Sequence, residues 1–272
     1  MSNRIIKMPV FDLSGKTAII TGGTKGIGYG IAATFAHFGA NVVFTARTAV
    51  DVENAEAEIN STYCTLGKCI GILADSSKQN DINNVITKTV KEFGEINILV
   101  NNAGIAGKTA KTVTKECSEK NFQKVIDTNL KGVFLFSRAV AKQMIAQGKG
   151  GKIINIASVG GLVGGPGIIA YNASKAGVIS LTKTLANELG KEAITVVAIC
   201  PGYVLTSLNE DVFLDEDGNF TEVYRHIAKN MAVRRLGEIE EIAGPVTAIA
   251  SDCFSFVTGN AIIIDGGQTI GR

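Results

Sequence analysis

A chain of 272 residues is long enough to bury a sizeable core in one large α/β domain. Its 27 basic and 25 acidic residues leave a net charge of +2, so no global field favours nucleic acid or an anionic membrane surface, and any bound anion must be gripped locally. The five cysteines (Cys64, Cys69, Cys117, Cys200, Cys253) are odd in number, widely spaced and without a C-x-x-C pair, which argues against a disulfide framework or a zinc site.

Short β-branched runs alternate with longer segments of helical period along the whole chain, the pattern of parallel strands joined by crossover helices. The first segment, Met1–Lys16, mixes charges with short apolar pieces and lacks the features of a secretory signal. No later stretch reaches the ~18 apolar residues of a membrane span, so a cytoplasmic protein with no membrane partner is expected. A strand over Thr17–Thr21 leads into Gly22-Gly23-Thr24-Lys25-Gly26-Ile27-Gly28 and a helix over Gly26–Phe38. Glycines between a strand and a helix let backbone approach a pyrophosphate, which the free N–H groups and positive end of the helix would hold. The spacing departs from the general G-x-G-x-x-G fingerprint, so its strand–turn–helix setting carries the inference.

A second strand, Asn41–Ala46, ends where an acid would accept the ribose 2′-hydroxyl of NAD(H). The chain has Ala46 there, Arg47 next, and Lys25 in the glycine turn, so two cations flank a pocket suited to the 2′-phosphate of NADP(H). NADP(H) is the favoured cofactor, with NAD(H) left open. Further strands are predicted over Cys69–Ala74, Ile96–Asn101, Lys152–Ser158, Ile194–Cys200 and Ala261–Asp265, and helices over Asp51–Ser61, Gln79–Phe93, Glu119–Gln147 (as two helices), Ala170–Leu189 and Glu238–Ser251. The expected fold class is α/β: one Rossmann-type, doubly wound parallel sheet of about seven strands in a single domain over 1–272. Tyr203–Met231 is long, polar and irregular, and is the expected substrate lid.

Tyr171 and Lys175 stand one helical turn apart in Y-N-A-S-K, so both side chains share a face. Bringing a phenol from ~10 to ~7 needs about 4 kcal/mol of phenolate stabilisation, which a buried ammonium beside an oxidised nicotinamide would supply. Ser158, before a glycine-rich loop, is positioned to orient a carbonyl and stabilise its developing oxyanion. Neither His37 nor His226 has a Cys/His/Asp cluster around it, and no metal is expected.

The glycine turn, Asn101-Asn102-Ala103-Gly104, Ser158 and Y-N-A-S-K, in this order, resemble the short-chain dehydrogenases/reductases over nearly the whole chain. That resemblance implies a catalytic set of Asn129, Ser158, Tyr171 and Lys175, with Asn129 holding a water that extends a proton relay from Lys175. It implies cofactor contacts from Gly22, Thr24, Lys25, Gly26, Ile27, Gly28, Arg47, Asp75 (adenine), Asn102, Ala103, Gly104, Tyr171 and Lys175, and from Pro201, Gly202 and Thr206 at the nicotinamide. It further implies a homotetramer acting on a small ketone or secondary alcohol. Gluconate 5-dehydrogenase-like and hydroxysteroid substrates stay open, and a 3-oxoacyl thioester is weakly disfavoured by the acidic lid. Two other readings are a non-catalytic dinucleotide-binding sensor, against which the intact acid/base set counts, and a sugar-nucleotide epimerase, for whose substrate domain the chain is short.

Overall fold

A computed structural model describes residues 10–109, 111–113, 117–207 and 209–270. Strands β1 (Thr17–Thr21), β2 (Asn41–Ala46), β3 (Cys69–Leu73), β4 (Ile98–Asn101), β5 (Gly151–Ile156), β6 (Ile194–Pro201) and β7 (Ala261–Ile264) form one sheet in the order β3-β2-β1-β4-β5-β6-β7. Every pairing is parallel. Successive side chains point to opposite faces, so near-continuous apolar strands supply two cores. Ala18, Ile20, Val42, Phe44, Val100 and Ile199 pack beneath α1 (Gly26–His37), α2 (Ala49–Thr62) and α9 (Glu240–Ala250). Ile19, Val43, Leu99, Ile153 and Val196 pack beneath α3 (Gln79–Phe93), α5 (Gly132–Gln147) and α6 (Ile169–Leu189).

Three departures from the sequence reading bear on the site. The segment Glu119–Gln147 is α4 (Glu119–Ile126), a π turn over Asp127–Lys131 and then α5, so Asn129 sits in the π turn rather than in a regular helix. Such insertions re-aim the side chains of a helix and recur at functional sites. Strand β5 ends at Ile156 rather than Ser158, because the Ser158 hydroxyl accepts from the Gly160 N–H at 3.0 Å and caps a short 3-10 turn. The segment 203–231 is not irregular throughout: α7 (Glu210–Phe213) and α8 (Glu222–Lys229) close over a cluster of Phe213, Ala228, Met231 and Leu236.

Beneath the C-terminal ends of the strands lies a buried polar relay. Asn101 Nδ2 donates to Ser137 Oγ at 2.9 Å and to Asn155 Oδ1 at 2.8 Å, and Asn155 Nδ2 donates to Thr182 Oγ1 at 2.9 Å. These bonds tie β4, β5, α5 and α6 together at fixed register, since a buried amide left unpaired costs its full desolvation penalty. Asn155→Ala takes one partner each from Asn101 and Thr182 and leaves a cavity, and we expect it to lower unfolding free energy by about 2–3 kcal/mol in a urea titration. An unmoved midpoint would show that the relay contributes no stability.

Candidate active site

The strand order reverses between β1 and β4, leaving a crevice beyond the C-terminal strand ends. It is a cleft of about 680 Å³. Gly22, Thr24, Lys25, Gly26, Ile27, Gly28, Arg47, Asp75, Asn102, Ala103, Gly104, Ser158, Tyr171, Lys175, Pro201, Gly202 and Thr206 all line it, and Asn129 alone of the expected residues lies behind the wall. Most come from a strand end, the turn after it or the first turn of the next helix, and Tyr171 and Lys175 come from the start of α6, which is why residues from Gly22 to Thr206 meet.

The glycine turn is closed from two sides. Gly22 and Gly23 donate their N–H groups to Thr45 O at 2.8 and 3.1 Å. From β4, Asn102 Nδ2 donates to Thr21 O at 3.0 Å and Gly22 O at 2.9 Å, while Thr21 Oγ1 accepts from the N–H groups of Asn102 and Ala103. A Cβ on Gly28 would lie 2.1 Å from Gly22 O, so only glycine permits the turn to close. No side chain caps the N-terminus of α1, whose first N–H groups are therefore left for an anion. Bare glycine backbone, an uncapped helix start and a cleft of this size fit a dinucleotide.

At the far end of the cleft, Lys25 Nζ pairs with Asp51 Oδ2 at 3.1 Å, an acid the sequence reading did not place here. Burial alone would raise the Asp75 carboxyl, but the N–H and hydroxyl of Ser77, with Arg47 and Lys78 nearby, outweigh it and hold Asp75 below the usual range.

At the other end, Lys175 is 4% exposed and donates from Nζ to Ile156 O at 2.7 Å. Its ammonium lies 5.6 Å from the centre of the Tyr171 ring, so the one-turn spacing does bring the pair together. Burial pushes Lys175 down to about 8, with the Cys200 sulfur opposing the shift. In the chain without cofactor, burial pushes Tyr171 up, and a hydrogen bond with the Ser158 hydroxyl only partly offsets this. The ammonium donates to a backbone carbonyl rather than to the phenol oxygen.

The loop bearing Ser158 is pressed onto α6. A Cβ on Gly161 would lie 2.7 Å from the backbone carbon of Lys175. With its amide turned so that both oxygen and nitrogen are satisfied, Asn172 clamps the same loop at two points, donating to Gly160 O at 3.1 Å and accepting from Gly165 N at 3.1 Å. Asn129 is fully buried, accepts from Ile105 N at 2.8 Å and gives its two amide hydrogens to Ile105 O and Ser174 Oγ. Its side chain thus fixes the loop after Asn102-Ala103-Gly104, and a water held there would lean on the Asn129 backbone carbonyl rather than on the amide hydrogens. Pro201 ends β6, Gly202 N donates to Ile264 O at 3.0 Å, and Thr206 N donates to Asn209 Oδ1 at 2.8 Å.

The segment 203–231 joins the cleft through Tyr203, Val204, Thr206 and Asn209. Tyr203 begins a chain of ring contacts through Phe213 and Tyr224 to Phe220, the last pair stacked at 3.8 Å. His226 is exposed on α8. Among the described residues no group of three His, Cys, Asp or Glu side chains is placed to hold a metal ion, and no helix is long and apolar enough to cross a membrane. Asn172 was legible beside Tyr171 yet unremarked. Asp51 offered no signal, since only the fold carries α2 to the glycine turn.

A family model described as enoyl-(acyl carrier protein) reductase matches residues 22–269. The chain is 37% identical to the 2-dehydro-3-deoxy-D-gluconate 5-dehydrogenase of Dickeya dadantii, over 94% of this chain and 96% of that protein. It is 36% identical to a 3-oxoacyl-[acyl-carrier-protein] reductase of Synechocystis sp., over 95% and 98% of the two chains. Among solved structures, a short-chain type dehydrogenase/reductase from Mycobacterium marinum superposes with a TM-score of 0.86 at 35% identity, covering 95% of this chain and 97% of that one.

The close approach at Gly161 generates a paired expectation. Gly161→Ala drives a methyl into the α6 backbone and should cost at least about 2 kcal/mol of stability. Gly164, four residues or fewer away in the same loop, has nothing within 4 Å of the added carbon, so Gly164→Ala should change stability by under about 0.5 kcal/mol. Equal effects of the two in chemical denaturation would contradict the packing described.

Proposed function

The chain belongs to the short-chain dehydrogenase/reductase family of oxidoreductases, and from that premise we propose that it interconverts a small ketone and its secondary alcohol, with NADP(H) preferred and Tyr171 as general acid and base. The observation that carries this reading is the buried Lys175 ammonium beneath the half-buried Tyr171 phenol, at the end of a cleft whose opposite end bears Lys25 and Arg47. Gly22 to Gly28, Asn102 to Gly104, Pro201, Gly202 and Thr206 would hold the cofactor, which supplies or removes the hydride.

In the reducing direction Tyr171 gives its proton to the carbonyl oxygen as the carbonyl carbon gains a hydride, so a C=O becomes a CH–OH. Ser158, hydrogen-bonded with the phenol, orients the carbonyl and stabilises the oxygen as it becomes negative. A phenol pushed up by burial stays protonated through neutral pH, which suits reduction. Oxidation needs the phenolate and therefore gains as pH rises. Lys175 holds positive charge beneath the phenol below about 8 and loses it above.

By name, one relative acts on a deoxygluconate and another on a 3-oxoacyl group held by an acyl carrier protein, and a ketone or secondary alcohol is the class this reading carries over. The segment 203–231 serves as the substrate lid, its cleft-facing Tyr203 backed by the rings of Phe213 and Tyr224. A single domain, assembled as a homotetramer of the cytoplasm, completes the reading, and the half-exposed Phe134 and Ile145 on α5 are suited to packing between subunits.

Initial rates across a panel of ketones test it. NADPH should be preferred to NADH by at least about tenfold in kcat/KM, equivalent to ~1.4 kcal/mol. Tyr171→Phe should still quench NADPH fluorescence on binding yet lose about 10²-fold or more in turnover. A preference for NADH would overturn the cofactor assignment, and a fully active phenylalanine variant would remove the acid/base.

A further inference from the structure

The pocket read as favouring a 2′-phosphate holds more negative charge than its sequence suggested. The end of β2 lacks an acid, since Ala46 stands there, but α2 begins three residues later and delivers Asp51 to the same wall of the cleft. Its position in the first turn of α2 favours a carboxylate, because the helix presents its positive end there. The Asp51 carboxylate meets Lys25 Nζ at 3.1 Å, and both side chains keep partial solvent contact, at 33% and 49% exposure. Asp75 also lines the pocket, near enough to Arg47 and Lys78 for their charges to hold its carboxyl down. The positive charge available to a 2′-phosphate is therefore partly offset by carboxylates.

We propose that Asp51 is a specificity-determining residue that weakens selection for NADP(H) by competing with the 2′-phosphate for Lys25. This rests on the NADP(H) reading above. A phosphate of about −1.5 to −2 charge can recruit Lys25 only by drawing it from a carboxylate already at contact distance, and that carboxylate is itself of like charge to the ligand. A 2′-hydroxyl makes no such demand, so the penalty falls on one cofactor and not on the other. The pair is solvent-accessible, so the effect is modest and screened by salt.

The test uses binding of nucleotide fragments as well as of the cofactors. Dissociation constants of adenosine 2′,5′-bisphosphate and adenosine 5′-monophosphate, by calorimetry, and of NADPH and NADH, by fluorescence, are measured for the natural chain, Asp51→Asn, Lys25→Ala and the double variant at low ionic strength. Asp51→Asn should raise the preference for the 2′-phosphorylated partner of each pair by about fivefold, the upper end of what freeing one exposed ion pair provides. In the Lys25→Ala background the same substitution should change the preference by less than about twofold, because the contested cation is gone. An unchanged or lowered preference in Asp51→Asn, or an undiminished gain without Lys25, overturns the proposal. The outcome is a change in ratio between variants, so it stands apart from the cofactor assignment, which fails only if the natural chain binds NADH more tightly than NADPH.

Discussion

A lysine ammonium buried at the base of a cleft constrains everything around it. Removing a cation from water is costly unless donors and acceptors are fixed in advance, and Lys175 meets that cost with the carbonyl of Ile156. The strand must therefore end where it does, and α6 must lie against it at a fixed height. Close approach of the Ser158 loop to that helix follows, and it is possible because Gly161 carries no side chain against the Lys175 backbone. The polar relay from Asn101 through Asn155 to Thr182 fixes the same strands and helix one layer below. The geometry of the proposed acid/base set is in that sense a consequence of how one charge is accommodated.

Much of the architecture was legible from amino-acid order. Runs such as NVVFTA and TVVAIC are apolar nearly throughout because both faces of their strands are covered, and their boundaries in the structure lie within two residues of those expected. The glycine turn, Tyr171 and Lys175 were legible because each depends on local spacing, within one turn of chain or of helix. What was not legible depends on contacts between distant segments. The π turn at Asp127–Lys131 follows no period in the sequence, and nothing in it shows that the Asn129 amide meets the loop at Ile105, twenty-four positions away. Burial pushes the Tyr171 phenol up in the chain without cofactor, so the acidity expected of it draws on the oxidised nicotinamide as well as on Lys175. The small fold of 203–231 was hidden for another reason: α7 is four residues long, and its stability comes from ring contacts with Tyr203 and Tyr224 rather than from helical periodicity.

The two ends of the cleft divide the work. Near Tyr171 the surroundings are dry and few groups carry charge, so each electrostatic interaction is strong. Near Arg47 and Lys25 the charges are exposed and Lys25 is paired with Asp51, so each interaction is weak, and in the function proposed above their balance sets the cofactor preference. A family-wide scaffold can thus keep its proton chemistry while its cofactor preference is tuned by residues such as Asp51, which touch no reacting atom.

The central claim is that the Lys175 ammonium is buried and held by backbone at the foot of the cleft. It is tested most directly by a carbon-13 titration of the lysine Cε resonances, with Lys175 assigned by its disappearance in Lys175→Met. The structure places its midpoint at about 8, well below the exposed lysines of the same spectrum. A midpoint at or above the usual ~10.4 would contradict the account.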